Sequence, residues 1–240
     1  MLQRSYVSVM HGARAWGQSW GWIKLLERHL DRRAALYLRS LMAIHDVEDM
    51  AHLDVPWWSF SSIDNIDSFL KRCGGGAHVF EYGPGASTIW LARRCAAVSF
   101  VEHDNAWWKT FSPMIDGLEN VTGQFVPPRL LGKNEYPVCQ SDRKDWRNFD
   151  FEDYVAAIVN AGGPFDAIII DGRARTACLS AAIDHLNEDG LIVFDNSGRS
   201  RYHAAITACG LATRRYRGLT PALPYPSETT LLARHRSIVG

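Results

Sequence analysis

At 240 residues, 47% apolar and 22% charged, the chain can build one domain with a proper core plus an extra segment. Lys and Arg total 26, as do Asp and Glu, so the formal charge is zero and no basic excess calls for a nucleic-acid partner. No apolar run approaches the ~20 residues that span a bilayer. The five scattered cysteines, without a Cys-x-x-Cys pair, argue against a disulfide framework or structural zinc site.

In chain order, Met1 to Trp16 carry arginines but only the short apolar stretch Tyr6–Met10, too short for a signal-peptide core. The chain therefore reads as cytoplasmic. From Trp22 onward, Ile23, Leu26, Leu30, Tyr37, Leu41 and Ile44 recur near helical spacing, with Glu27, Arg28, Arg32 and Arg33 between them. Pro56 interrupts, and Ser61–Leu70 predicts a further short helix. Cys73-Gly-Gly-Gly-Ala77 reads as a flexible joint. Residues 1–72 are thus expected to form a helical cap, and residues 73–240 the main domain.

From His78 short apolar runs alternate with helix-length segments: Val79–Tyr82, Val98–Val101, Val121–Val126, Phe165–Ile170, Leu191–Phe194, Leu211–Tyr216 and Thr229–Ala233. The runs Ile168 to Ile170 and Leu191 to Phe194 do not alternate with polar residues, as suits central strands of a covered parallel sheet. The repetition predicts right-handed βαβ units in one doubly wound, Rossmann-like sheet. Residues 127–150 are polar and too long for an ordinary connection, which suggests a lid or binding loop.

The first strand runs into Gly83-Pro-Gly-Ala-Ser-Thr88 and then a helix. Gly83 allows a sharp turn, Gly85 lets a ligand approach the backbone, and Ser87 or Thr88 can cap the helix. A dinucleotide fingerprint wants a third glycine where Thr88 stands. Glu81, two residues before the first glycine, would repel a pyrophosphate but could hold an ammonium group. Glu102 follows Gly85 by seventeen residues at the tip of the second strand, where an acid suits paired ribose hydroxyls. A ligand with a ribose, an ammonium group and no phosphate is S-adenosylmethionine.

Glu81-Tyr-Gly-Pro-Gly-Ala-Ser87 resembles the first signature of class I S-adenosylmethionine-dependent methyltransferases, and Glu102 their ribose-binding acid. Phe165-Asp-Ala-Ile-Ile-Ile-Asp-Gly172 and Asp189-Gly-Leu-Ile-Val-Phe-Asp195 are similar to the fourth and fifth strands. The resemblance covers residues 78–233 and implies a seven-stranded sheet in the order 3-2-1-4-5-7-6 with the last strand antiparallel. It also implies methyl transfer, with Glu81, Gly83, Gly85, Ser87, Thr88, Glu102 and His103 at the cofactor. The other functions weighed are a non-catalytic binder, an NAD-dependent enzyme and an aminopropyltransferase. The last lacks a second carboxylate constellation to hold a polyamine.

Asp171 and Asp195-Asn196 end adjacent strands and are the catalytic candidates. Asp171 could orient the sulfonium, act as a base on a hydroxyl, or bind a metal. The trio is similar to the magnesium or calcium ligands of catechol-type O-methyltransferases, but Gly172-Arg173 places a guanidinium beside the site, and Asp195-Asn196 also reads as an Asx turn. Arg173, Arg175, Arg199 and Arg201 are either solvated or a cationic rim for an acidic or phosphorylated acceptor. Of Trp57-Trp58 and Trp107-Trp108, one of each pair should sit near a surface or cap. The expected partner is a small-molecule or glycan acceptor carrying a hydroxyl, with no nucleic acid and no membrane span. Oligomeric state is open between monomer and homodimer.

Overall fold

The computed structural model describes residues 21–44, 46–141 and 143–240; the stretch Tyr6–Met10 lies outside them. Four helices come first: α1 (Trp22–Glu27), α2 (Arg33–Ser40), α3 (Val47–His52) and α4 (Phe60–Arg72). The helical periodicity from Trp22 is carried by separate short helices, because the chain turns twice on itself. The His29 N–H bonds to Leu26 O and the Arg32 N–H to His29 O, which ends α1 and starts α2. Arg39 fixes the arrangement from inside. Its buried guanidinium donates to both Asp49 carboxylate oxygens, at 2.8 and 2.6 Å, and to Glu27 at 2.9 Å.

The sheet strands are β1 (His78–Tyr82), β2 (Ala97–Glu102), β3 (Val121–Phe125), β6 (Phe165–Ile170), β7 (Leu186–Asp195), β8 (Ala212–Gly218) and β9 (Ser227–Ala233). Between β3 and β6, residues 127–150 carry a two-stranded hairpin of β4 (Arg129–Leu130) and β5 (Phe149–Asp150). The seven-stranded sheet runs β3-β2-β1-β6-β7-β9-β8. With the hairpin set aside this is the expected order, and β9 is antiparallel to both of its neighbours. The run at Leu191–Phe194 extends back to Leu186 because Leu186 pairs with Phe165 across a register shift.

Side-chain parity assigns the two faces, since successive residues of a strand point to opposite sides. Phe80, Tyr82, Ile168, Ile170, Ile192 and Phe194 face α7 (Glu152–Asn160), α8 (Arg175–Asp184) and α9 (Ser200–Ala208). Val79, Ala167, Ile169, Leu191 and Val193 face α4, α5 (Ala86–Ala92) and α10 (Arg236–Val239). Phe60, Ile63, Ile66 and Phe69 of α4 share that second core, and Ser59 Oγ donates to Tyr216 O of β8. A third cluster lays Val47, Met50, Leu53 and Val55 on Ala86 and Ile89 of α5 and on Phe111 of α6 (Asn105–Ile115). No helix among the described residues is long and apolar enough to cross a membrane.

Removing one member of a buried ion pair leaves the other charge uncompensated. Arg39→Ala should therefore destabilise the fold by about 3 kcal/mol, read by urea denaturation. A loss below about 1 kcal/mol, the level of an exposed pair, would mean that Arg39 does not organise the N-terminal helices.

Candidate functional site

Strand register builds the site. Tyr82 pairs with both Val101 and Ile170, and Ile170 pairs with Phe194. One residue further on, Gly83, Glu102, Asp171 and Asp195 stand in a row along the carboxyl edge of the sheet. The strand order reverses about β1, and such a switch point leaves a crevice outside the strand ends. A cavity of about 450 Å³ opens there. Gly83, Gly85, Ser87, Glu102, His103, Asp171 and Asn196 line it. Glu81, Thr88 and Asp195 do not; they are buried behind it.

The glycine loop is held from three sides. Gly83 has φ 85°, and a Cβ there would lie 2.7 Å from Gly172 Cα, so the loops after β1 and β6 cross in contact. Trp107 Nε1 donates to Pro84 O at 2.8 Å. The Gly85 N–H is received by Thr88 Oγ1 at 3.0 Å. Glu81 is buried behind the cavity lining, and its two carboxyl oxygens accept the Ser87 and Thr88 hydroxyls, each at 2.5 Å. Glu81 therefore fastens the start of α5 to β1, which differs from the expected contact with a ligand's ammonium group.

Glu102 is buried yet reaches the cavity wall. Its Oε1 accepts the backbone N–H groups of His103 at 2.6 Å and Asp104 at 2.5 Å. Its Oε2 takes no hydrogen bond from the described residues. His103 packs against Trp146, Phe151 and Tyr154, with ring centroids 5.1 to 5.6 Å apart. Its Nδ1 lies 2.7 Å from Glu102 Oε1 but out of line for a hydrogen bond, and Nε2 has no partner among the described residues. Trp146 comes from the 127–150 segment. Asp150 orders that segment by accepting the N–H groups of Val138, Cys139 and Glu152. Nothing in the sequence distinguished Asp150 from the other acids of the loop.

The strand tips at Asp171 and Asp195 are joined by Arg175, which is neither solvated nor on the rim. It donates to Gly172 O at 3.0 Å, to Asp171 O and Oδ1 at 2.6 Å each, and to Asp195 O. Asp195 Oδ1 accepts the Thr229 hydroxyl at 2.8 Å, and Oδ2 accepts the Asn196 side-chain amide. Burial, with the Asp171 carboxylate beside it, pushes Asp195 up to about 7. The trio Asp171, Asp195 and Asn196 therefore does not fit a dication: a permanent cation pairs with the Asp171 carboxylate and takes the Asp195 carbonyl, and both Asp195 carboxylate oxygens are engaged. Among the described residues no group of three His, Cys, Asp or Glu could hold a metal ion. Asn196, at φ 52°, begins a backbone turn in which its carbonyl accepts the Arg199 N–H at 3.3 Å.

Three further arginines, Arg143, Arg173 and Arg199, line the cavity, while Arg201 lies over the Tyr202 ring at 5.0 Å. The tryptophan pairs divide as parity requires. Trp58 is in the core against Trp90, and Trp108 packs on Phe100 and Phe125. Trp57 and Trp107 line the cavity, Trp57 passing 3.4 Å from where a Cβ on Gly85 would stand.

Neither a protein-family model nor a curated protein sequence matches the chain. Among solved structures it is similar to a precorrin 8w decarboxylase from Methanobacterium thermoautotrophicum, 13% identical, over 75% of this chain and 93% of that one, with a TM-score of 0.51. It is also similar to a methyltransferase-like protein from Silicibacter pomeroyi, 20% identical over 70% and 86%, TM-score 0.44. A third is an rRNA methylase from Streptococcus thermophilus, 12% identical over 72% and 96%, TM-score 0.49. At such identities the likeness is one of fold: a Rossmann-like, doubly wound sheet.

Burial pushes the Glu81 carboxyl up to about 8, against the pull of the Ser87 and Thr88 hydroxyls. A raised pKa means that the folded state holds the proton more tightly than the unfolded one. Its contribution is whole below the ordinary value of 4.5 and is lost as pH rises through about 8. In urea denaturation across that window, Glu81→Gln should flatten the decline in stability, leaving only the share of Asp195. An unchanged slope would remove Glu81 as its source.

Proposed function

We propose that the chain is an S-adenosylmethionine-dependent methyltransferase acting on the hydroxyl of a small or glycan-type acceptor. The observation that carries this reading is Glu102. A buried carboxylate at the switch-point crevice has one oxygen fixed by two backbone N–H groups and the other left free at the cavity wall. That oxygen suits the paired hydroxyls of a ribose. His103 and Asp104 would flank the nucleoside, and the Gly83 to Ser87 loop would pass along the rest of the cofactor. Thr88, in the place of a dinucleotide fingerprint's third glycine, is fully occupied in holding the loop.

Bound, the cofactor supplies an activated methyl group: the new carbon–oxygen bond forms as the carbon–sulfur pair departs to sulfur, leaving a thioether. What the chain must add is alignment and a base. Asp171 is the base in this reading. Arg175 fixes its Oδ1, while Oδ2 takes no hydrogen bond from the described residues and can accept the acceptor's hydroxyl proton, later passed to water. The helices between Trp22 and Arg72 serve as a cap, with Trp57 closing over Gly85 and the 127–150 segment as the opposite wall.

In calorimetry S-adenosylhomocysteine should bind and NAD should not. Glu102→Ala should weaken the first by about 2 kcal/mol, roughly thirtyfold, the usual loss for a hydrogen bond to a charged group. NAD binding without adenosylhomocysteine binding overturns the proposal. Asp171→Asn should slow methyl transfer by about 10²–10⁴-fold with cofactor affinity kept; near-normal turnover removes Asp171 as the base.

A further inference from the structure

The chain is neutral overall, yet four arginines, Arg143, Arg173, Arg175 and Arg199, line one cavity. The acids on the same wall do not balance them. Glu102, Asp104 and Asp171 stand against the four, and among the described residues the ion pair within this lining is Asp171 with Arg175. Among the described residues, the Arg143 guanidinium meets Asp145, at 3.3 Å on the exposed surface. Arg199 is exposed and has no carboxylate partner among the described residues.

Arg173 is the telling member. Its guanidinium is largely buried; among the described residues its Nε has no hydrogen-bond partner, and Nη1 makes a long 3.4 Å contact to its neighbour's Gly172 O. Burial, with Arg143 and Arg175 nearby, holds its pKa below the ordinary value. A desolvated cation with cationic neighbours, with the Glu102 carboxylate near but no ion pair among the described residues, is unfavourable unless something else supplies a paired charge. Two helices also begin at this wall without a side-chain cap: α8 at Ala174, itself at φ 47°, and α9 at Arg199. Their positive ends add to the same field.

We propose that the acceptor carries an oxyanion, a phosphate or carboxylate group, seated by Arg173 and Arg199, with Arg143 approaching from the 127–150 segment. The inference rests on reading the crevice as a methyl-transfer site. It narrows the substrate class to hydroxyl compounds bearing an acid or a phosphate ester. A planar guanidinium fork matches either oxyanion in two parallel hydrogen bonds, which orients the acceptor as well as holding it.

The probe is inorganic phosphate, titrated by calorimetry at constant ionic strength into the protein saturated with S-adenosylhomocysteine. Saturable binding is expected, weakened at least tenfold in Arg173→Gln and in Arg199→Gln, with adenosylhomocysteine affinity within twofold in the latter. Arg199 is exposed, so its variant carries the test if Arg173→Gln fails to fold. The absence of saturable phosphate binding overturns the proposal. So does a loss of adenosylhomocysteine affinity in Arg199→Gln equal to the loss for phosphate, because the arginines would then serve the cofactor's own carboxylate. A single-stranded RNA oligonucleotide that binds where phosphate does not would also overturn it, in favour of a polyanion. If adenosylhomocysteine itself fails to bind, the methyl-transfer reading falls separately, and phosphate titrated into the unliganded protein still decides whether the arginines form an oxyanion site.

Discussion

A permanent cation buried at the edge of a parallel sheet needs acceptors on every side, and Arg175 has them. Its guanidinium takes the carbonyl oxygens of Asp171, Gly172 and Asp195 and one oxygen of the Asp171 carboxylate. Those carbonyls belong to the chain just as it leaves β6 and β7, where the ladder ends and backbone groups lose their strand partners. One side chain therefore satisfies both strand exits and sets the spacing between them. The Asp171 carboxylate is turned by the same contact, so the shape of the crevice floor and the orientation of its acid have one cause.

The strands were legible because each is a short, continuous apolar run bounded by turn residues. The parallel order followed from the strand–helix alternation together with the resemblance. Placement was legible where it is set by position at a strand tip: Glu102 and Asp171 both line the cavity. It was not legible where it depends on which neighbour arrives first. Asp195 and Asn196 have the composition of a metal site, but Thr229 from β9 and the Asn196 amide itself take the two Asp195 carboxylate oxygens, while Arg175 takes the Asp195 carbonyl. No spacing in the sequence announces that a strand thirty-four residues away will supply a hydroxyl. Asp150 was missed for a related reason: its importance lies in three backbone N–H groups that only a folded loop presents.

The N-terminal helices show how weakly periodicity alone fixes helix length. Apolar residues at helical spacing from Ile23 to Ile44 are equally well buried by short helices folded about an ion pair. Arg39 with Asp49 and Glu27 makes that arrangement the compact one. The same folding carries Trp57 to the glycine loop, while Trp58, one residue on and on the opposite side, enters the core. Adjacent tryptophans are thus divided between a cavity and a core by backbone direction, with no difference in chemistry between them.

Two acids of one nucleotide-fold motif diverge for a similar reason. Glu81 lies inside β1, on the face shared by Val79, and that face meets α5; its carboxyl is therefore delivered to the Ser87 and Thr88 hydroxyls at the first turn of the helix. Glu102 ends β2, where no further strand residue pairs above it, and the chain folds back so that the next two backbone N–H groups reach Oε1. The first acid is enclosed and rises toward neutrality; the second is anchored by one oxygen and presents the other to the crevice. Their separation by a single strand pairing, Glu81 with Phe100 two residues below Glu102, is enough to make one a structural tie and the other the group best placed to meet a ligand.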